Sequence, residues 1–374
     1  MFKQYQIKDY NFRLVIYVTA LTLIGISVIG SAQKSVQNKQ IMGLCLGLFA
    51  MAVVSLIDYS FILKFNWLIY AFNIGLLSLI TFHVFGDKAG GAVRWIEIGG
   101  FRFQPSELAK VLLILFFSWY FGKYYEKVNK IYFLAITGVL IFIPWFMIEH
   151  QPDLSTSIVV AIIFLALLFL SGLSYKIIAG VFAVLIPAGS LFVYLILQPG
   201  QTILDPYQWK RIMAWLQPEK YATDAYQQQN SIMAIGSGML WGKGLNNDTV
   251  FSVKNGNFIP EPQTDFIFAV VGEELGFVGS AATLVLLLLI VIECILIGRK
   301  AKDLPGQLIC GGVAVWIGFQ TFVNICVVTG MMPNTGLPLP FVSYGLTSLV
   351  SLFIGIGLVL NVGLQPLKYR KGDF

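Results

Sequence analysis

The groups in this sequence whose type and spacing best suit chemistry are acids at the edge of an apolar segment. The stretch "FIPEPQTDFIFAVVGEELGF", residues 258–277, carries four carboxylates, at Glu261, Asp265, Glu273 and Glu274. A carboxylate can act as a general base or hold a cation, but burying one in apolar surroundings costs free energy. Ionisable groups within membrane segments are therefore functional candidates by default.

Helical geometry divides these acids into separate groups. At about 100° per residue, Glu273 lies roughly 80° and Glu274 roughly 180° around the axis from Asp265, so the three cannot share one face. Thr264 is predicted to be the N-cap of the apolar helix, which puts Asp265 in its first turn at the outer membrane surface. We predict that Asp265 faces a cavity with Glu261 as its neighbour in the loop. Glu273 and Glu274 are predicted to be buried partners of other helices.

Two further polar sets lie in apolar segments. In "QPSELAK", Glu107 and Lys110 stand three residues apart, which places them on one face of a helix. They form either a structural ion pair or part of a polar cavity in which Lys110 binds an anionic ligand. In "EHQPDLSTS", Asp153 precedes another apolar run. Its carboxylate either caps that helix or lines the same cavity.

The elements that carry these residues are predicted to be membrane helices. Of the 374 residues, 57% are hydrophobic and 12% are charged, whereas soluble domains average about 25% charged residues. A helix that crosses the membrane needs about 20 predominantly apolar residues, and strand-type alternation typical of a barrel is absent. The sequence therefore predicts an all-α polytopic integral membrane protein with about ten transmembrane helices. They fall at residues 12–30, 40–57, 65–86, 106–122, 131–148, 154–173, 177–198, 266–297, 308–330 and 343–364.

The distribution of lysine and arginine orients these helices. With the N-terminus inside, the inner segments hold fourteen of these residues and the short outer loops hold five. This bias follows the positive-inside rule and predicts that both termini are cytoplasmic. The net charge of +6 then reflects the lysine and arginine residues of the cytoplasmic segments, and no nucleic-acid partner is expected.

The largest outer segment, residues 199–264 between the seventh and eighth helices, is predicted to form part of the site because long loops of this kind are usually functional. Within it, Ile212, Trp215 and Leu216 recur at helical spacing, which predicts an amphipathic helix on the membrane surface. The glycines around Lys243 in "AIGSGMLWGKGLNN" are expected to let the backbone approach a ligand closely. The outer segment 87–105 is predicted to be a short interfacial stretch that returns into the protein.

Five segments of the chain carry a further signal, and they are "RWIEIGGFRFQPSELAK", "QPDLSTSIV", "YQQQNSIMAIGSGMLWGKG", "FIPEPQTDFIFAVVGEELGFVG" and "NICVVTGMMPNTGLPLPFVSYG". In this order they resemble the signature segments of the SEDS family (shape, elongation, division and sporulation), which includes RodA, FtsW and SpoVE. The resemblance covers residues 12 to 365 and treats residues 1–374 as one membrane domain. The sequences of these segments are most similar to those of the RodA branch, which implies a role in cell-wall elongation and cell shape. The sequence departs from the family where Met239, residues 246–248 and Leu346 replace glycine.

The resemblance implies a ten-helix protein that polymerises lipid II into the glycan strands of peptidoglycan. It implies that Asp265, in the "TDFIF" segment, is the essential residue. It also implies a class B penicillin-binding protein as a partner that crosslinks the strands. Lipid II, the growing glycan strand and membrane lipids are the other expected partners.

A lipid diphosphate is already a good leaving group, so one carboxylate suffices for this reaction. Asp265 is predicted to take the proton of the acceptor hydroxyl, with inversion at the anomeric carbon. Burial would raise the pKa of Asp265 and a helix N-terminus would lower it, and the sequence does not decide between them. The diphosphate charge needs cations, and a divalent cation, Mg²⁺ or Mn²⁺, held by Asp265 and phosphate oxygens is a candidate cofactor. The candidate substrate-binding residues are Arg94, Trp95, Arg102, Gln104, Lys110, Arg211, Lys243 and Glu261, and the candidate polar cavity consists of Glu107, Lys110 and Asp153.

Two other functions stay open at this point. A lipid II flippase would suit ten helices and an intramembrane ion pair, but it needs charged or hydrated groups along its full depth. Here the acids cluster near the outer face, and the inner half of the membrane segments carries almost no acidic residues. A non-catalytic scaffold for a penicillin-binding protein would not need Asp265 in a cavity.

Overall fold

The structure, a computed structural model, describes residues 10–81, 87–89, 92–98, 101–151, 153–198, 201, 204, 206–246 and 258–365. These residues form thirteen α-helices and one small sheet. The first six helices are α1 (Phe12–Ala32), α2 (Lys34–Leu56), α3 (Tyr59–Ile62), α4 (Asn66–Thr81), α5 (Pro105–Lys123) and α6 (Ile131–Glu149). The others are α7 (Leu154–Leu170), α8 (Tyr175–Ile196), α9 (Pro206–Leu216), α10 (Ala222–Ser237), α11 (Ile267–Arg299), α12 (Leu304–Val328) and α13 (Leu346–Gly363). The strands are β1 (Asp87–Ala89), β2 (Ala92–Ile98) and β3 (Phe101–Phe103).

Eight helical segments among the described residues are long and apolar enough to cross a membrane. They are α1, α2, α3 joined to α4, α6, α8, α11, α12 and α13. The helix α7 is apolar but has only 17 residues, and α5 has 19 residues and carries the charged Glu107 and Lys110. The prediction of an all-α polytopic membrane protein is confirmed, and the number of ten spanning helices stays a prediction.

The connection between the first two helices is much shorter than predicted. The segments 12–30 and 40–57 implied an outer loop, but α1 ends at Ala32 and α2 begins at Lys34, with Gln33 between them. The stretch "KSVQNK" contains no glycine or proline, and lysine and glutamine are good helix formers. The helix α2 therefore continues beyond its apolar segment.

The outer segment 87–105 contains a three-stranded antiparallel sheet with the order β1-β2-β3. In β2 and β3, Ile96 pairs with Phe103 and Glu97 pairs with Arg102. Aromatic and β-branched residues favour strands, so the alternation in "RWIEI" is the signal of this sheet, which was not predicted. The sheet leads directly into α5, whose N-cap is Gln104.

The predicted helix 266–297 is broken near its outer end. The helix α11 has a non-helical residue at Gly276, with φ 65° and ψ −161°, a conformation that is essentially restricted to glycine. The segment 238–244 lies along this break, because Lys243 N donates to Glu273 O at 2.9 Å and Phe277 N donates to Met239 O at 2.8 Å. The single continuous helix of the prediction is therefore wrong.

The glycines of the segment 238–244 serve this contact between two parts of the chain. A Cβ atom on Gly242 would lie 2.2 Å from the carbonyl oxygen of Glu274, and one on Gly238 would lie 1.9 Å from that of Gly272. These glycines allow the backbone to approach α11 closely, and their predicted approach to a ligand stays a prediction.

The segment between α12 and α13, residues 329–345, contains no helix and is called the α12–α13 loop below. Its residues 339–343 are buried in the bundle. The helix α1 packs against it at Gly25, where an added Cβ would lie 2.8 Å from both Cα and the carbonyl oxygen of Val342.

We predict that Gly25→Ala destabilises the protein by about 1–3 kcal/mol, because a methyl group would collide with backbone atoms that cannot move independently. Thermal unfolding in detergent would show a lower midpoint. Gly75→Ala in α4 is the matched control, since a Cβ there meets nothing within 4 Å. Equal midpoints for the two variants would contradict the packing described here.

Candidate functional site

The α12–α13 loop forms one wall of the site and is held by amide side chains from neighbouring helices. In α2, Gln40 Nε2 donates to the carbonyl oxygen of Ser343 at 3.1 Å. In α10, Gln228 Nε2 donates to the carbonyl oxygen of Met332 at 2.7 Å. Backbone groups at membrane depth must be hydrogen-bonded within the protein. These amides therefore permit a non-helical segment inside a bundle of apolar helices.

Asp265 lies two residues before α11 and is held by a neighbouring hydroxyl. The Thr264 hydroxyl donates to Asp265 Oδ1 at 2.9 Å and contacts the carbonyl oxygen of Glu261 at 2.8 Å. The prediction that Thr264 is the N-cap is wrong, because the N-cap is Phe266 and it makes no side-chain cap bond. Thr264 orients the carboxylate of Asp265 rather than the start of the helix.

Arg211 and Asp265 flank the same glycine of the α12–α13 loop. A Cβ atom on Gly336 would lie 3.6 Å from Arg211 Nη1 and 3.8 Å from Asp265 Oδ2. Arg211 Nη1 also donates to the carbonyl oxygen of Asn334 at 3.3 Å. Gly336 has φ +76°, so a residue with a Cβ would be strained there although its neighbours leave room for the atom. A carboxylate and a guanidinium thus lie on the same side of Gly336.

The pKa of the Asp265 carboxyl is raised from its ordinary value by burial. The hydrogen bond from Thr264 and the positive charge of Arg211 lower this pKa, but burial has the larger effect. A carboxylate with a raised pKa is a better general base near neutral pH. The electrostatics therefore suit Asp265 to proton transfer.

Glu107 and Lys110 form a buried ion pair, as predicted. Lys110 Nζ lies 2.7 Å from Glu107 Oε1, and the side chains are 0% and 3% exposed. The ammonium also donates to Gln320 Oε1 at 3.2 Å and lies 4.9 Å from the centroid of the Trp316 ring. These contacts favour the structural interpretation, and a substrate contact by Lys110 stays a prediction that its full burial opposes.

Lys243 is also held in an ion pair. Lys243 Nζ lies 2.8 Å from Glu273 Oε1, with the lysine side chain 29% exposed. Glu273 is buried as predicted, but its partner belongs to the turn after α10 and not to a helix. Glu274 is buried and accepts a hydrogen bond from Ser31 of α1 at 2.5 Å, which confirms the prediction for that residue.

Asp153 caps α7, since its side chain accepts a hydrogen bond from Thr156 N at 3.2 Å. It also accepts one from Gln104 Nε2 at 3.2 Å. The capping interpretation is confirmed, and the contact joins two of the predicted site residues where α5 and α7 begin.

The remaining candidates lie on the sheet and in the adjoining loop. Arg94 Nε donates to the carbonyl oxygen of Gln151 at 3.2 Å, and Trp95 is half-buried. Arg102 is exposed, and its positive charge lowers the pKa of Tyr344, which burial raises. Glu261 is exposed, with φ 51° in the turn before Asp265.

The structure brings together only part of the predicted set. Arg211 lies beside Asp265. Arg102 acts on the pKa of Tyr344, whose backbone N donates to the carbonyl oxygen of Gln263, two residues before Asp265, at 2.8 Å. Glu273, with its partner Lys243, lies in α11 eight residues after Asp265 in the chain.

The prediction missed Gln320, Asn324 and Gly336 and gave Thr264 a different role. Thr264, Gln320, Asn324 and Gly336 contact Asp265 or the α12–α13 loop. The signal for the two amides was present, because Gln320 and Asn324 stand four apart in an apolar helix, where polar side chains usually bond across helices.

The departures from the family pattern have a structural correlate. Met239 and Asn246, which replace glycine, have φ values of 51° and 58°. These values lie in the left-handed region that favours glycine. Residues 247 and 248 lie outside the described part of the chain.

The fold and the site define a polytopic helical membrane protein with a carboxylate-centred site where its helices and loops meet. The chain belongs to the FtsW/RodA/SpoVE family, since the model of that family, described as "Cell cycle protein", matches residues 7–366. It is 36% identical over 356 residues to the peptidoglycan glycosyltransferase MrdB of Escherichia coli K12, covering 93% of this chain and 92% of that protein. It is 35% identical over 331 residues to the probable peptidoglycan glycosyltransferase FtsW of Haemophilus ducreyi, covering 85% and 80%.

Solved structures agree with this membership. The crystal structure of the rod shape determining protein RodA of Thermus thermophilus matches with a TM-score of 0.70 and 26% identity, over 96% of this chain and 98% of that one. A chain from a peptidoglycan synthase complex, described as coordinating polymerization and crosslinking, matches with a TM-score of 0.77 and 28% identity, over 95% and 97%.

We predict that Lys110→Met destabilises the protein by about 3–5 kcal/mol, because it leaves the Glu107 carboxylate buried without its cation. The double variant Glu107→Gln with Lys110→Met should recover most of this loss. The measurement is thermal unfolding in detergent. Lys243→Met is the comparison, and its smaller loss follows from partial exposure of that ion pair. The buried-pair account is contradicted if the double variant is no more stable than Lys110→Met.

Proposed function

We propose that this protein is a peptidoglycan glycosyltransferase that polymerises lipid II into glycan strands at the outer face of the bacterial cytoplasmic membrane, for cell-wall elongation and cell shape. The observation that carries the proposal is the carboxylate of Asp265 with a raised pKa, beside the guanidinium of Arg211 across Gly336. The names of the relatives from Escherichia coli and Haemophilus ducreyi support the reaction class.

Asp265 acts as the general base. As the acceptor hydroxyl oxygen attacks the anomeric carbon of the donor, its proton passes to the Asp265 carboxylate. The bond from the anomeric carbon to the diphosphate breaks, and the lipid diphosphate leaves with the electron pair. Arg211 lies where its positive charge can stabilise the charge that develops on the diphosphate. One displacement of this kind inverts the configuration of the anomeric carbon.

A divalent cation, Mg²⁺ or Mn²⁺, fits this site only in combination with the substrate. The described residues contain no group of three or more His, Cys, Asp or Glu side chains that could hold a metal. Asp265 offers one carboxylate, which agrees with the way Mg²⁺ binds one or two carboxylates plus substrate phosphates. Bound there, the cation would neutralise the charge of the diphosphate.

The topology and the partner complete the proposal. Both termini are cytoplasmic, which follows from the bias of lysine and arginine, and the segment 199–264 lies outside. The partner is a class B penicillin-binding protein that crosslinks the strands. The similarity to a chain of a peptidoglycan synthase complex supports this partnership.

We expect Asp265→Asn to lower the polymerisation rate about 10²–10⁴-fold, the contribution typical of a general base. Purified protein, with and without its partner, would receive labelled lipid II in the presence of an inhibitor of other glycan polymerases. The products would be sized on a gel. Asp224→Asn, at an exposed position of α10, is the matched control and should polymerise normally.

Several outcomes of this assay would contradict the proposal. Native-level polymer from Asp265→Asn would exclude Asp265 as the base. No polymer from the native protein, with transfer of lipid II across vesicles, would favour a flippase. In the same assay, a chelator should stop polymerisation by the native protein, and Mg²⁺ or Mn²⁺ should restore it. If polymerisation is unchanged in the presence of the chelator, a divalent cofactor is excluded and the rest of the proposal stands.

We predict that Arg211→Met moves the acidic limb of the polymerisation rate to higher pH. The positive charge of Arg211 lowers the pKa of Asp265, so its removal raises this pKa further. The base works in its deprotonated form. As the pH is lowered, the rate therefore begins to fall below its maximum at a higher pH than in the native protein. Lys210→Met, at the adjacent exposed position of α9, should leave the limb in place. A limb that stays at the native pH in Arg211→Met would contradict the arrangement of charges described above.

A further inference from the structure

Two amides on α12 lie beneath the site and take no part in the proposed chemistry. Gln320 and Asn324 stand four residues apart, so their side chains lie on one face of the helix. Both side chains are buried, with Asn324 1% exposed. Burying an amide costs free energy unless it is hydrogen-bonded, so their contacts reveal what these residues hold in place.

Asn324 joins the two segments that carry Asp265 and Gly336. Its Nδ2 donates to the carbonyl oxygen of Asp265 at 2.7 Å and to the carbonyl oxygen of Leu337 at 2.7 Å. Both hydrogens of one amide are used in this bridge. Its Oδ1 is buried and has no hydrogen-bond partner among the described residues. The amide of Asn324 therefore acts as a donor to two backbone segments.

Gln320 extends this bridge to the buried ion pair. Its Nε2 donates to the carbonyl oxygen of Pro338 at 2.8 Å, next to the residue that Asn324 binds. Its Oε1 accepts from Lys110 Nζ at 3.2 Å and from Trp316 Nε1 at 2.9 Å. A continuous series of hydrogen bonds thus runs from the ion pair through the α12–α13 loop to the backbone of Asp265.

We infer that Asn324 is a positioning residue, which sets the place of Asp265 relative to Gly336 and Arg211, and that Gln320 anchors the same loop to Lys110. Asn324 bonds to backbone oxygens on both sides and acts on the reaction only through Asp265. A displacement of about 1 Å at a reacting group can cost about 10²-fold in rate. The inference rests on the proposed function, because the effect on rate requires Asp265 to be the base.

The test compares two buried asparagines at different places in the bundle. Asn324→Leu keeps the number and branching of the side-chain heavy atoms and removes both donors. Asn361→Leu is the matched control. Asn361 is fully buried in α13, where its Oδ1 accepts from Tyr59 N at 2.9 Å and its Nδ2 donates to Ser55 O at 2.8 Å. It makes the same kind of bridge between backbone segments, here at the end of α2 and the start of α3.

For the full chain in detergent with lipid II, we expect Asn324→Leu to lower kcat about 10²-fold with KM changed less than about threefold, per folded molecule. The acidic limb of the rate should move to lower pH. A released Asp265 gains water, so its pKa falls towards the ordinary value, with Arg211 and the Thr264 hydroxyl still facing it. Asn324→Gln, which keeps the amide, should recover part of kcat. Asn361→Leu should lower the unfolding temperature and leave kcat, KM and the limb unchanged.

Hydrogen exchange supplies a readout that does not depend on activity. In Asn324→Leu, exchange should rise in peptides covering residues 261–268 and 334–342, and in Asn361→Leu these peptides should exchange as in the native protein. If Asn324→Leu has the kcat, the acidic limb and the hydrogen exchange of the native protein, the inference is overturned. The proposed function still stands in that case if the native protein makes polymer. If the native protein makes no polymer, the proposed function fails. The exchange result then still decides whether Asn324 holds the two segments together.

Discussion

The buried backbone of the α12–α13 loop needs hydrogen-bond partners, and the side chains that supply them hold one wall of the site in place. Residues 329–345 contain no helix, and the segment has few backbone bonds within itself, such as that from Ser343 N to Leu339 O at 3.0 Å. Its carbonyl groups are instead bonded by side-chain amides from α2, α10 and α12. Irregular backbone is tolerated in a membrane protein where it is buried in protein or lines a cavity. The loop can therefore place Gly336 beside Asp265.

The same constraint explains why so much acid lies near apolar helices. Glu107, Glu273 and Glu274 are each bonded to a partner that keeps a helix or turn in position. Asp153 satisfies the backbone at the start of α7. Asp265 differs from these, because its Oδ1 accepts a hydrogen bond from its neighbour Thr264 while its Oδ2 lies near Gly336 beside Arg211. The other acids thus maintain the framework, and Asp265 is the carboxylate proposed to react.

The sequence predicted what depends on local composition. The apolar segments identify a membrane protein. The charges within or beside these segments identify Glu107, Lys110, Asp153 and Asp265, because burying a charge in apolar surroundings costs free energy however the helices pack. The features that were missed depend on contacts between distant segments. The break at Gly276 exists because the segment 238–244 lies against it. The partners of Asn324 lie 59 and 13 residues away, so no local pattern could name them.

The central claim is that a single carboxylate, Asp265, acts as a base in one direct displacement. The most direct test is the anomeric configuration of the new linkage relative to that of the donor, determined by NMR on the product of one sugar transfer by the purified protein. A base-catalysed direct displacement predicts inversion. Retention would require a covalent glycosyl intermediate formed by a nucleophilic carboxylate, and it would contradict the role assigned to Asp265.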